Sequence, residues 1–294
     1  MNKIRIVFTA TMSAGKTTCI NAFLGTELLH SANEATTATV TEIHSSNVEM
    51  VRAFDSNKAI VKEVHALTAE MLKVLNQSQQ VQEILVKGKF NFSENLVLID
   101  TPGPNNSRDT NHKNLAYEFI EESNFDFLVY IINATQPFIN DDVQYLKFIQ
   151  KKVQHQKIIF LVNKIDEFDI ENESISSFIN NLTSYLKDLG FLQPIIFTIS
   201  AYRSLLIKKF TKQEKLSRKE RRELFSFLED DNIFFDYGLI PFPIETINHI
   251  KCQKRFEDLD EDFQDYDYLN QIYCNTGFPY FEFYIKDQIF RLNK

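Results

Sequence analysis

The chain has 294 residues, 44% of them hydrophobic and 24% charged, enough to bury one large core and a smaller helical annex beside it. A formal net charge of -8 argues against a protein that coats nucleic acid, which needs a basic face to displace counterions. Cys19, Cys252 and Cys274 are too few and too scattered for a disulfide framework or a zinc site, so reduced thiols in a cytoplasmic setting fit them best.

The chain opens on an apolar run too short for a secretory leader. No later stretch approaches the ~18 apolar residues of a membrane span, which leaves peripheral contact as the expected mode of any membrane association. Residues 3–10 (KIRIVFTA) read as a buried strand, and 17–24 as a helix launched by the turn between them. Between this helix and residue 96, Ile60, Val64, Leu67, Met71 and Leu75 recur at the spacing of one helix face, which predicts a helical insertion at about 55–85. Short β-branched or aromatic runs at 96–100, 126–134, 157–163 and 194–199 read as strands, alternating with helical patterns near 113–122, 139–154 and 171–189. Such alternation implies a doubly wound α/β fold, its mostly parallel sheet covered on both faces. We divide the chain into residues 1–205 and a mainly helical C-terminal extension, 206–294, packed on them.

Four short motifs stand at predicted strand ends. Ala10-Thr11-Met12-Ser13-Ala14-Gly15-Lys16-Thr17 follows the first strand and opens a helix, a Walker A arrangement with alanine in place of the first glycine. Backbone N–H groups from Met12 to Thr18 would wrap phosphate, Lys16 would place a cation on the β/γ oxygens, and the Thr17 hydroxyl would ligate Mg2+. Gly15 must stay free of a side chain so that the backbone can approach closely. Asp100-Thr101-Pro102-Gly103 ends a strand with a carboxylate where a water-mediated magnesium ligand belongs, and Gly103 can offer its N–H to a γ-phosphate.

Upstream, one threonine of Glu34-Ala35-Thr36-Thr37-Ala38-Thr39 should give magnesium a hydroxyl and place a carbonyl near the attacking water; of Thr36 and Thr37 we assign Thr37. Asn163-Lys164-Ile165-Asp166 supplies a carboxylate that can accept from guanine N1–H and the 2-amino group, with Asn163 and the Lys164 stem supporting ring and loop. Thr198-Ile199-Ser200-Ala201 can meet guanine O6 with a backbone N–H. A buried site built for guanine's donors rejects the wrong base by ~10⁴-fold or more. Each motif is weak alone; the four in this order imply a P-loop GTPase fold that holds GTP or GDP with magnesium.

With Ser13 in the phosphate loop, Thr36-Thr37-Ala38 and Asp100-Thr101-Pro102-Gly103-Pro104, the sequence resembles bacterial dynamin-like GTPases. It is most similar to the group that includes the clamp-binding, colocalising dynamin-related protein. The likeness runs through Ile20-Asn21-Ala22, Gly25-Thr26-Glu27, Leu98 to Asn105 and Leu161 to Lys164, and covers about residues 3–205. It implies GTP hydrolysis stimulated when two G domains pair as a homodimer. It also implies that Ser13 stabilises charge on the transferred phosphate, partly by holding a monovalent cation. Pro104 follows Gly103 where small GTPases carry glutamine, so the water must be positioned otherwise. Dynamins also attach a long helical stalk, and only ~90 residues follow the core here. A stand-alone G domain, a piece of a longer protein and one half of a split pair all remain open.

Other features read more plainly. Residues 208–222 (KKFTKQEKLSRKERR) suit a solvated basic face better than a lipid- or partner-binding one, with the acidic stretch 257–267 a candidate intramolecular partner. Asp258, Asp260 and Asp262 open like a calcium loop, but Phe263 and Leu269 occupy its glycine and bidentate-carboxylate positions, which excludes calcium. The aromatic tail (Phe278, Tyr280, Phe281, Phe283, Tyr284, Phe290) suits a helix packed on the sheet, and His112 a surface position. Two rival functions share the motifs: a GTP-dependent latch for a stalk-bearing partner, and a ribosome- or RNA-associated GTPase, which the acidic tail disfavours.

Overall fold

The computed structural model describes residues 3–11, 13–30, 39–104, 110–122, 124–154, 157–168, 174–228, 242–253 and 266–292. Among them, nine strands form one sheet: β1 Ile4–Ala10, β2 Val40–Ser45, β3 Met50–Phe54, β4 Ile60–Val64, β5 Glu83–Gly88, β6 Leu96–Asp100, β7 Phe127–Asn133, β8 Ile158–Asn163 and β9 Ile195–Ile199. The helices are α1 Lys16–Leu24, α2 Ala69–Asn76, α3 Thr110–Glu122, α4 Asn140–Lys152, α5 Ile175–Asp188, α6 Ala201–Thr211, α7 Arg218–Leu228, α8 Ile244–Cys252, α9 Tyr266–Asn275 and α10 Phe278–Leu292.

The spatial order of the strands is β4-β3-β5-β2-β6-β1-β7-β8-β9. From β6 to β9 every pairing is parallel, so the carboxyl ends of β6, β1, β7, β8 and β9 share one edge. Parallel strands joined by helical crossovers are covered on both faces, which is why these five read as nearly unbroken apolar runs. β2 turns antiparallel to β6 and carries β5, β3 and β4 as a flank.

Successive side chains of a strand point to opposite faces. Ile4, Ile6, Phe8 and Ala10 of β1 therefore enter the core shared with α1, α8 and α10. Val7 enters the core on the other face, built with α3, α4 and α5. Phe281 of α10 lies edge-on to Phe8, Phe23 and Phe197, with ring centroids 6.3, 6.0 and 5.8 Å apart. A smaller cluster joins Leu206 and Ile207 of α6 to Leu224 of α7 and to Leu269, Ile272 and Tyr273 of α9.

The structure corrects the sequence reading in three places. Ile60–Val64 is not the start of a helix but an edge strand, and Ile60 and Val61 are 55% and 43% exposed rather than on a buried face. A turn makes it so: the Asp55 carboxylate accepts from the N–H groups of Asn57 and Ala59, and Lys58 adopts φ 62°, folding β4 back on β3. Only Ala69–Asn76 is helical within that insertion, started by Thr68, whose hydroxyl accepts from Met71 N–H at 3.2 Å.

The border expected at residue 205 falls inside α6, which runs on to Thr211 against α1. Nor is the basic segment one solvated face. Lys208 donates to Ala22 O at 2.7 Å and Lys212 to Gly25 O at 2.8 Å, so both cations meet carbonyls at the C-terminal end of α1, where helix polarity favours positive charge. Lys208 also pairs with Glu282, and Lys209 with Glu27 and Glu220. Residues 257–265, offered above as its acidic partner and including Asp258, Asp260 and Asp262, lie outside the described residues, as does the side chain of His112.

Candidate functional site

The carboxyl ends of β1, β6, β8 and β9 bring the sequence motifs to one edge of the sheet, where ligands bind in open α/β folds. After β1 the chain turns sharply: Ser13 and Gly15 both lie in the left-handed region, with φ 64° and 85°. Gly15 caps α1 without a side chain, so the first-turn N–H groups, including those of Lys16, Thr17 and Thr18, meet no capping oxygen from it. That leaves an anion-ready helix N-terminus. A Cβ on Gly15 would overlap the Asn163 amide, so this glycine is required by its neighbour as well as by its backbone angle. Ser13 is exposed and Ala14 buried. Met12, Thr36 and Thr37, assigned to phosphate, switch and magnesium, lie outside the described residues, as does Asn105.

Beneath this loop sits a buried network that sequence reasoning missed. Thr11 and Tyr130 both donate to Asp142 Oδ1, at 2.6 and 2.7 Å, and Thr9 lies 2.9 Å from the Tyr145 hydroxyl. Burial pushes the Asp142 carboxyl above its ordinary range, against the opposing pull of these two hydroxyls. Its only mark in the sequence is an acidic pair, Asp141-Asp142, in the first turn of α4.

At the end of β6, Asp100 forms an ion pair with Lys16, their side chains 17% and 15% exposed. Thr101 is tied to Phe8 by its hydroxyl, which donates to the carbonyl at 2.9 Å. This anchors the Asp100–Gly103 turn to β1. Gly103 follows at the start of the phosphate loop, where an added Cβ would stand 3.4 Å from Ala10 O. The Asp100 carboxylate and the hydroxyl of half-buried Thr17 are oxygen donors, a chemistry that suits Mg2+ better than a soft metal.

Asn163, 2% exposed, joins three motifs. Its Nδ2 donates to Ala14 O at 2.9 Å, and its Oδ1 accepts from Ala201 N–H at 3.1 Å. One side chain thus fixes the phosphate loop against the loop that follows β9. Lys164 takes φ 65° and starts a single 3₁₀ turn, Ile165–Glu167, that presents Asp166; its ammonium lies 3.4 Å from Glu167 Oε2. Ser200 caps α6, accepting from Arg203 N–H at 3.4 Å, and its own N–H donates to Thr276 O at 2.8 Å.

Thr276 and Gly277, from the turn between α9 and α10, were not singled out in the sequence. Gly277 has φ 77°, and a Cβ there would overlap Thr198 O, so the C-terminal turn is pressed directly against the end of β9. Asn275-Thr276-Gly277 is a turn signal in the sequence, but nothing local says which strand it abuts.

A family model described as the dynamin family matches residues 6–165. An uncharacterized protein from the xynA 3′ region of Caldicellulosiruptor sp. (strain Rt8B.4) is 31% identical over 229 residues, which cover 76% of this chain and 55% of that protein. Two solved structures come from an oligomerised bacterial dynamin pair, described as providing a mechanism for the long-range sensing and tethering of membranes. They share the fold at TM-scores of 0.54 and 0.51, with 19% and 15% identity. They match 77% and 78% of this chain, which spans only 43% and 38% of theirs.

Proposed function

Since the chain belongs to the dynamin family, we propose that it binds guanine nucleotide with magnesium and hydrolyses GTP to GDP and phosphate, faster when two of its nucleotide-binding domains pair. The observation that carries this reading is Asn163, whose one amide bridges the phosphate loop at Ala14 and the base loop at Ala201, so that both ends of a nucleotide are gripped as a unit. The chain spans about half the length of the curated relative it matches, and the proposal concerns the part in hand.

In this reading the N–H groups of the loop from Met12 to Thr18 receive the phosphates, and Lys16 exchanges its bond to Asp100 for the β/γ oxygens. Thr17 and Thr37 would hold magnesium directly and Asp100 through water, and the ion would supply charge neutralisation to the phosphates. Gly103 N–H faces the γ-phosphate. Exposed Ser13 would be ordered against the transferred group by the pairing domain, with a monovalent cation as its aid. Asp166 reads the guanine edge; the N–H contact to O6 expected from Ser200 and Ala201 is not part of this reading, because those donors are given to Thr276 O and to Asn163 Oδ1. No covalent step on the protein is required: the work is positioning and charge stabilisation. Membrane contact of the kind named for the bacterial dynamin pair would be peripheral, because no described helix is long and apolar enough to cross a bilayer.

The test is GTP turnover measured over a hundredfold range of protein concentration, alongside light scattering with GDP, a non-hydrolysable GTP analogue and GDP–fluoroaluminate. Specific activity should climb with concentration, and dimers should form with fluoroaluminate. Flat specific activity with monomers throughout would refute pairing, and absence of turnover at any concentration would refute hydrolysis. Exchange of Asp166 for asparagine should move preference from GTP towards xanthosine triphosphate; unchanged preference would clear Asp166 of base reading.

A further inference from the structure

Asp166 is expected to offer two carboxylate oxygens to two guanine donors, yet the backbone beneath it is a single 3₁₀ turn entered through a left-handed residue. One turn of helix does little to hold a side chain, whereas recognition needs these oxygens placed within about 0.5 Å. The structure supplies a holder from elsewhere in the chain. Arg203 Nε lies 3.3 Å from Asp166 Oδ2, and both side chains are only 11% exposed. A carboxylate has roughly four acceptor positions, so one donor on Oδ2 leaves Oδ1 and a further lone pair open to a base.

Arg203 is itself fixed. It stands in the first turn of α6, its N–H bonded to the Ser200 hydroxyl, so the same helix start that presents Ser200 and Ala201 also carries the guanidinium. Phe227 of α7 packs against that guanidinium, 4.5 Å from Cζ to the ring centroid. α7 is in turn held to α6, where Tyr202 donates to Glu223 Oε2 at 2.6 Å and Lys209 pairs with Glu220. A planar, permanently charged group between a carboxylate and an aromatic face has little freedom to swing.

We infer that Arg203 is the positioning residue for guanine recognition: it locks Asp166 in its base-reading orientation and, through Phe227, makes that orientation depend on the docking of α7. The inference rests on the base-reading role proposed for Asp166. It predicts that loss of Arg203 weakens the contacts to the guanine edge and not those to the phosphates.

The experiment is calorimetric affinity for GDP and for inosine diphosphate, which lacks the 2-amino group, on the full chain with magnesium. Wild-type protein should prefer GDP. Arg203→Ala should cut the GDP-to-IDP affinity ratio about five- to tenfold, the worth of roughly one ordinary hydrogen bond. Arg203→Lys, which keeps a cation but has a methylene at the position of Nε, should retain more of the ratio than alanine does, and Phe227→Ala should lower it in the same direction by less than Arg203→Ala. On an Asp166→Asn background, Arg203→Ala should leave the ratio unmoved. A general loss of fold lowers both affinities together, and thermal unfolding of each variant checks for it.

Phe227→Ala leaves every charge in place and provides a second route should Arg203→Ala fold poorly. A ratio unchanged in folded Arg203→Ala, or in Phe227→Ala and Arg203→Lys together, overturns the inference while leaving Asp166 as base reader. An Arg203→Ala effect that persists in full without the Asp166 carboxylate also overturns it. Wild-type protein that binds GDP and IDP equally overturns the base-reading role itself.

Discussion

Replacing Asn163 with alanine tests the architecture of the site at one atom group. Its amide satisfies two buried backbone partners, the Ala14 carbonyl at 2.9 Å and the Ala201 N–H at 3.1 Å. Truncation leaves both without their partner, and an unsatisfied buried polar group costs about 1–3 kcal/mol. Two such groups give about 2–6 kcal/mol; water entering at the loop ends offsets part of this, so about 2–4 kcal/mol is expected. Urea unfolding followed by circular dichroism measures the loss, which should appear as a lower midpoint with an unchanged slope. Asn163→Asp keeps an acceptor for Ala201 N–H but sets an oxygen against the Ala14 carbonyl, and should be no better. GDP affinity of folded Asn163→Ala should fall about tenfold or more as the two loops uncouple. A loss below about 1 kcal/mol with affinity intact would refute the claim that this amide joins the two halves of the site.

Lys16→Ala should abolish GTP and GDP binding in calorimetry, and wild-type affinity would overturn the phosphate-loop assignment. Phe281→Ala, at a fully buried ring among Phe8, Phe23 and Phe197, should lower stability by about 3–5 kcal/mol in denaturant titration; a loss under about 1 kcal/mol would mean α10 is not integral to the core. Glu42 provides a pH test. Burial alone would raise its carboxyl, but hydrogen bonds from His44 and Arg5 outweigh that and bring it down to about 2. Because the folded value lies below the unfolded value of about 4.3, the stabilisation is present above pH 4–5, in rough terms, and lost as pH falls towards the folded value. Glu42→Gln should therefore cost about 1–2 kcal/mol near neutrality, after discounting for partial solvent exposure, with the gap to wild type closing in acid. A gap that stays constant between neutral and acid conditions would count against this carboxylate.

The parallel half of the sheet was legible because β1 and β6 to β9 are short apolar runs, several of which end in a motif with a chemical reason to be there. The flank was not. β4 exposes both faces and β5 alternates, while Ile60, Val64 and Leu67 imitate helical spacing across what is a strand, a loop and a cap. The site divides in the same way. Motif residues such as Gly15 and Asn163 carry their meaning in short spacing. Asp142 meets Thr11 across 131 positions and Arg203 meets Asp166 across 37, distances over which a single sequence holds no pairing signal. Gly277 required both a left-handed backbone and knowledge of what it abuts; only the first can be suspected from a turn.

The seat of α10 has a consequence for how this chain can be cut or moved. Its aromatic side presses on the strand that leads into the phosphate loop, through Phe8, and on the strand that leads into the base loop, through Phe197. The turn before it bears on the carbonyl of Thr198. Pulling that helix away would remove packing from beneath both β1 and β9 at once, so α10 cannot be treated as a detachable handle. Strain applied to α10 therefore reaches β1 and β9 directly, through Phe8 and Phe197.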